Sequence, residues 1–476
     1  MTPRLLRHLA RTCAALGLVL CATLRAADPA GPNLLLVRNA LVFTLKPGVD
    51  TPAAGYLLVG ADGRIREVGA GEPSAGLSAQ TVIDARGRFL TPGFISAHTH
   101  IYQSVLRGLG VDQTLLGWIS AIQPMEGTNP EDRYYATLFG CFDLLRHGIT
   151  TSFDFNDAGG REGFDQAGLR GELASGMRFV HAYCLPFVGT RESRRTDFEA
   201  FYAYSRAFAD RPTFLSVALG GYQSFINDPG YSLLEGEIMR EHGFYNEAHF
   251  LEPPEADAVA AQRSRFPFVV AAGELGPHLS FGHFIHTDDA ILEQVARAGG
   301  SMVWNPLSNG RLASGVADIP KYRKLGIRIG MGVDGEASAD IADPFENMRT
   351  GLYAIRDKYE SAKVLQPEDV LRFHTLGSAD VIGVADRVGS LEPGKYADFL
   401  IVDPHSMETG PVYNPCATLV LACGVPNIDQ VYVGGRLAVN HGTPTDTGFA
   451  AVCAEADRRF SEIRDRLAAK AAAADR

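Results

Sequence analysis

From about Thr91 to Ala385 the chain repeats one pattern, a short apolar run of β-type residues followed by an amphipathic, helix-like segment. Eight runs qualify: GFISAHTH, TTSFDF, MRFVHAYCL, LSVALGG, NEAHFLE, LSFGHFI, SMVWNP and IRIGMGVD. Segments such as PEDRYYATLFGCFDLLRHG and TDDAILEQVARAGG separate them. Repeated strand–helix units build a parallel sheet, because parallel neighbours need a long crossover that a helix supplies. Eight such units predict an α/β fold of the closed (β/α)8 TIM-barrel type, and no GxGxxG turn marks the dinucleotide crevice of an open sheet.

Either side of this block the pattern changes. Asn33 to Leu90, and again the stretch after Leu391, carry short β-type runs punctuated by Gly, Asp and Pro, including GSLEPGKYADFLIVD and IDQVYVGGRLAVNHG. Two such flanks predict one small β domain built from both chain ends and interrupted by the barrel. The expected division is a signal peptide over 1–27, β-sandwich over 28–90, barrel over 91–385, β-sandwich again over 386–450 and a C-terminal helix over 451–476.

The signal peptide is expected because Arg4, Arg7 and Arg11 precede the apolar run Cys13 to Leu24, with the small residues Ala26 and Ala27 before Asp28 and Pro29. Such a chain is exported, to the periplasm or beyond the cell. Leu20 stands where a lipoprotein cleavage box ending at Cys21 wants a small residue, and no Arg-Arg pair indicates a twin-arginine route. No apolar run long enough to span a bilayer follows, so no membrane partner is expected once the signal is removed. A formal net charge of -11 argues against nucleic acid as a partner, since phosphate backbones demand clustered Lys and Arg. Five cysteines follow the signal, with no metal-finger spacing among them; a Cys416–Cys423 bridge stays open, as does a homo-oligomer.

His98 and His100 close the first barrel run. Residues i and i+2 share a face of a strand but lie about 200° apart on a helix, so the pair forms one site only if extended. Two imidazoles leave a metal under-coordinated, and other strand ends offer more: His249 in NEAHFLEPPE, His283 in LSFGHFIH and Asp334 in IGMGVDGEAS. Polar residues at the C-terminal ends of barrel strands line the active site of such a fold. Neutral nitrogens with one carboxylate suit Zn²⁺, with Fe²⁺ as the second choice. Asp334 is then both ligand and proton acceptor for an activated water. Glu252, three residues past His249, would face away along a strand, so it is expected beyond the strand end, curled over the site as a proton shuttle.

The motifs TPGFISAHTH, HFLE, GHFIH, WNPLSNGRL, GVDGEAS and GSLEPGKYADFLIVD, in this order, resemble the amidohydrolase superfamily, in its cytosine-deaminase-like branch of aminohydrolases and triazine hydrolases. The resemblance covers almost everything after the signal. It implies a distorted barrel with a split β-sandwich and a divalent metal on His98, His100, His249 and Asp334, with His283 polarising the attacked centre. His286 is set aside, since it falls at the start of the next helix. Binuclear relatives bridge two ions with a mid-barrel carboxylated lysine. No lysine occurs between Lys46 and Lys321, so one ion is expected, unless another residue such as Cys184 bridges.

LRGLGVDQTLLGWISAIQPME resembles the segment that shapes the pocket of S-adenosylhomocysteine and methylthioadenosine deaminases, implying that Trp118 stacks on substrate and Glu126 takes the place of a ribose-binding acid. The chain departs from them in LGGYQSF, where Tyr222 and Gln223 replace a Pro and a substrate-contacting His. Asn305 and Asn309 follow the seventh strand, where side-chain amides can fix a tight turn or donate to a ligand, with the structural role favoured, and Lys395 and Asp398 are read as parts of a β-domain turn and strand. The function expected is metal-dependent hydrolysis of a carbon–nitrogen bond other than a peptide bond, deaminating a heterocyclic small molecule. The alternatives are hydrolysis of a cyclic amide or ring C–N bond, and an exported metal-containing binding protein without turnover. Glu252 and Asp334 together disfavour the last, because binding alone needs no proton shuttle.

Overall fold

The computed structural model describes residues 33–49, 51–122 and 127–474. The expected signal peptide over 1–27 and Glu126 lie outside the described residues. The chain opens with five strands, β1 Asn33–Val42, β2 Ala53–Gly60, β3 Ile65–Ala70, β4 Thr81–Asp84 and β5 Phe89–Pro92. β1 pairs antiparallel with β2 and parallel with β4 and β5. Gly93 carries the chain from this sheet into the barrel, where a Cβ would lie 2.1 Å from Thr150 Oγ1, so only glycine passes.

The barrel strands follow as β6 Phe94–Thr99, β7 Ile149–Asn156, β8 Arg178–Tyr183, β9 Phe214–Gly221, β10 Asn246–Phe250, β11 Leu279–His283, β12 Ser301–Trp304 and β13 Arg328–Met331. They form one eight-stranded sheet in chain order, every neighbouring pair parallel. Each of the eight runs read as strands coincides with one of them to within a few residues at either end. Between β13 and β6 the ring is drawn together by single bonds: Asp334 N–H donates to His98 O over 3.1 Å and Val333 N–H to Ser96 Oγ over 3.0 Å. Ile95, Phe153, Val180, Ala182 and Val303 fill the barrel, buried as a parallel sheet covered on both faces requires. Helices cover the outside. The first long one, Pro130–Arg146, starts on an Asn129/Asp132 capping box with Pro130 in its first turn, satisfying amides that have no partner within the helix.

The chain then returns to the first sheet through β14 Phe399–Val402, β15 Ile428–Val433, β16 Arg436–Asn440 and β17 Thr443–Pro444. β14 lies antiparallel to β5, with Leu90 opposite Ile401, so both chain ends share one sheet. A buried ion pair ties it to the barrel: Arg178 Nε donates to Asp398 Oδ2 over 2.6 Å and Nη2 to Oδ1 over 3.1 Å. Helix Phe449–Ala474 ends the described chain. Among the described residues no helix is long and apolar enough to cross a membrane, and no disulfide joins Cys416 to Cys423.

Candidate metal centre and active site

His98 is the penultimate residue of β6 and His100 directly follows the strand. Ser96 pairs with Ser152 but Thr99 with Asp154, so β6 holds one residue more than β7 between these pairs, as in a bulge, which re-aims side chains at a barrel rim. His249 sits on β10 directly opposite Gly282 of β11, and His283 ends β11. Asp334 follows β13. Its φ of 61°, and that of 64° at His283, are left-handed values that non-glycine residues hold at some cost, of a kind concentrated at functional sites. At Gly332 a Cβ would lie 2.6 Å from Asn305 Oδ1 and 2.7 Å from His98 O, so β13 can approach β6 only with glycine there.

The polar atoms of these residues converge. His100 Nε2 lies 3.2 Å from His249 Nε2, and Asp334 Oδ1 lies 3.4 Å from His98 Nε2 and 3.5 Å from His100 Nε2. Four ligands placed tetrahedrally at 2.0–2.2 Å from an ion stand about 3.3–3.6 Å apart. These separations are thus edges of a coordination polyhedron more than good hydrogen bonds. Buried His98 Nε2 has no hydrogen-bond partner, a costly state that a cation would relieve. His98, His100 and His249 form one metal-compatible group, and His98, His283 and Asp334 another.

The field favours a positive charge here. Burial alone would push the His98 and His100 imidazoles down, yet Glu247 and Asp334 beside His98, and Asp157 beside His100, raise both. Burial would likewise push Asp334 up, but His98 and the other imidazoles hold it well below the usual carboxylate range. Burial and the neighbouring imidazoles push His249 well down. Glu252 is raised well above the usual range, first by burial and then by the Asp334 charge.

Glu252 lies two residues past β10, after a turn at Leu251 with a φ of 58°, and is buried over the site as expected from its spacing. Its Oε1 is 3.5 Å from His283 Nδ1 and has no hydrogen-bond partner. Asn309 Nδ2 donates to His283 Nδ1 over 2.7 Å, which leaves the ring hydrogen on Nε2, the nitrogen 3.9 Å from Asp334 Oδ2. Beside the favoured turn-fixing role, Asn309 thus has a bond to His283. The segment after β12 is a short helix, Pro306–Arg311, and one of its turns aims Asn309 at the site. His286 bonds Ser314 O instead, and Cys184 packs in the barrel core against Phe155.

Two carboxylates went unnoticed in the sequence. Glu247 Oε1 lies 2.6 Å from His98 Nδ1, both side chains fully buried. Its signal was available, since Glu247 stands two residues before His249 on one strand and so shares its face. Asp157 Oδ2 lies 2.6 Å from His100 Nδ1. It falls just past β7, where strand-end position was its only mark.

A cavity of about 750 Å³ opens from these residues. Its floor is His100, His249, Glu252, His283 and Asp334, and its walls include Leu115, Trp118, Ile122, Phe187, Tyr222 and Phe225. Trp118 lines it with its indole N–H already donated to Ala337 O over 2.8 Å, so it offers only its ring. Gln223 is not among the lining residues. Its Nε2 donates to Glu274 over 2.6 Å behind the barrel wall.

Residues 89–438 match the amidohydrolase family. The chain belongs to that family. It is 31% identical over 423 residues to the 5-methylthioadenosine/S-adenosylhomocysteine deaminase of Syntrophobacter fumaroxidans, covering 86% of this chain and 93% of that one. Its likeness to the enzyme of the same name from Desulforamulus reducens is 28% over 418 residues, covering 86% and 94%. Among solved structures, a zinc-bound adenosine deaminase from Xanthomonas campestris superposes with a TM-score of 0.82 at 24% identity, covering 92% of this amidohydrolase and 100% of that chain. A mutant atrazine chlorohydrolase from Arthrobacter aurescens, complexed with zinc and atraton, gives 0.79 at 21%, covering 90% and 100%. At these identities the structural likeness shows the shared barrel fold.

Proposed function

We propose that this amidohydrolase deaminates a heterocyclic small molecule, using one divalent ion held by His98, His100, His249 and Asp334. The observation that carries the reading is the convergence of those four side chains at polyhedron-edge spacing, three of them, His100, His249 and Asp334, on the floor of a cavity that also presents Glu252 with its Oε1 unpartnered. Zinc is the proposed metal, from the nitrogen-rich donor set. The lysine-free stretch between Lys46 and Lys321 supports a single ion. A divalent ion held by these residues would supply Lewis acidity toward water, making it a stronger nucleophile near neutral pH.

The chain's own groups do the rest. Asp334 stays ionised among the imidazoles and accepts the proton of the attacking water. Glu252 is buried and favours its protonated form, so it delivers a proton to the ring nitrogen or departing amine. His283 presents Nε2–H toward the attacked centre, with its tautomer set by Asn309. Trp118 and Phe225 supply apolar faces for a planar ring.

Ammonia release from purines, pyrimidines, pterins and triazines by zinc-loaded protein tests this reading. Ammonia from one of these classes, with the ring intact, supports it. A ring-opened product without ammonia would move the assignment to cyclic-amide hydrolysis. We also propose that the protein is exported, on the strength of the Arg, apolar and small-residue order in its first 27 residues. N-terminal sequencing of the native protein should start near Ala27, and an intact Met1 in the cytoplasm would refute export.

A further inference from the structure

Tyr222 lines the cavity, yet its hydroxyl is spent within the wall, where it donates to Asp157 Oδ1. The other oxygen of that carboxylate accepts from Tyr102 OH over 3.2 Å and faces His100 Nδ1 at 2.6 Å. Two phenols and an imidazole therefore share one carboxylate. The Tyr222 ring meanwhile lies 15° from parallel with His249 at 5.6 Å, and edge-on to Phe155 at 5.2 Å. Tyr222 directly follows β9 and Asp157 directly follows β7, so the bond also ties together the chain just past two strand ends at the barrel rim.

The centre's two carboxylate–imidazole pairs differ in their surroundings. Glu247, which pairs with His98, is fully buried, so packing alone confines it. Asp157, which pairs with His100, is 15% exposed on the cavity wall, and it shares His100 Nδ1 with Phe155 O at 3.1 Å. An imidazole ligand is oriented by the group its second nitrogen meets, and a carboxylate that wanders orients nothing. The phenols supply the constraint that burial gives Glu247.

We propose that Tyr222 is a positioning residue: acting through Asp157, it fixes the His100 imidazole and sets how tightly the centre holds its metal. The residue stands where the sequence departs from the nucleoside deaminases it resembles, so the hydroxyl is a feature of this chain's own wall. The proposal rests on the reading of His100 as a metal ligand.

The test is zinc affinity, measured by chelator competition on purified protein, for the parent, Tyr222→Phe, Asp157→Asn and the double variant. Loss of an outer partner of a ligating histidine typically weakens binding about 10- to 100-fold, and Tyr222→Phe is expected toward the lower end and Asp157→Asn toward the upper. In the Asp157→Asn background, Tyr222→Phe should add nothing further, because its route to the metal is already cut. A parent-like zinc affinity in Tyr222→Phe would overturn the proposal while leaving the metal centre standing. Additive losses in the double variant would also overturn it, since general loosening of the fold adds where action through Asp157 does not. A parent protein that holds no zinc at all would instead remove the reading of His100 on which the proposal rests.

Discussion

Asn309 Nδ2 lies 2.7 Å from His283 Nδ1, and an amide nitrogen can only donate, so this one bond decides which ring nitrogen carries the hydrogen. Asn309→Ala should release the tautomer and cost roughly 10- to 100-fold in kcat/KM. Asn309→Asp should be worse, because a carboxylate accepts, pulls the hydrogen to Nδ1 and leaves Nε2 bare toward the site. Steady-state ammonia release compares the two; full activity in Asn309→Asp would refute the tautomer assignment.

Asp334 and Glu252 are given different tasks, and their variants should separate. Asp334→Asn should lower bound metal and abolish turnover together. Glu252→Gln should keep the metal and lose about 10²- to 10⁴-fold in rate, the usual range for general acid–base work. Metal content by elemental analysis, set beside kcat, reads out both. Near-full activity in Glu252→Gln would end this division of labour.

Gly332 lets β13 pass close to His98, where a Cβ would meet Asn305 Oδ1 at 2.6 Å and His98 O at 2.7 Å. Gly332→Ala should therefore push the segment past β13 that bears Asp334 away from β6. We expect a loss of about 1–3 kcal/mol in urea unfolding, typical of overpacking. Zinc affinity should fall as well, since Asp334 N–H is bonded to His98 O and the two ligands move together. Unchanged affinity with unchanged stability would mean that the barrel relaxes around the methyl group.

Arg178 and Asp398 form a buried bidentate pair between the barrel and the split sheet, with side-chain exposures of 3% and 4%. Asp398→Ala strands the guanidinium and should cost about 3–5 kcal/mol. Chemical unfolding measures the loss, while the activity of the protein that remains folded should stay at the parent level, because the pair lies in the sheet junction and not in the cavity lining. A selective loss of kcat with normal stability would place Asp398 in the catalytic machinery instead.

The sequence determined by itself what local pattern can carry. Eight apolar runs alternating with amphipathic segments specify the barrel, because strand and helix periods are properties of neighbouring residues. The histidines and acids stand out because they end those runs, and Glu252 announces its position past β10 by falling out of phase with His249. Glu247 was equally legible by its two-residue spacing. The partnerships belong to the tertiary structure alone. Asp157 meets Tyr222 across 65 residues, Asn309 meets His283 across 26, and Asp334, just past the last barrel strand, binds the backbone of His98 on the first. Gln223 is held by Glu274 and does not line the cavity. Only ring closure and the packing of helices against strand ends fix which side chains meet, and no period in the chain encodes those distances.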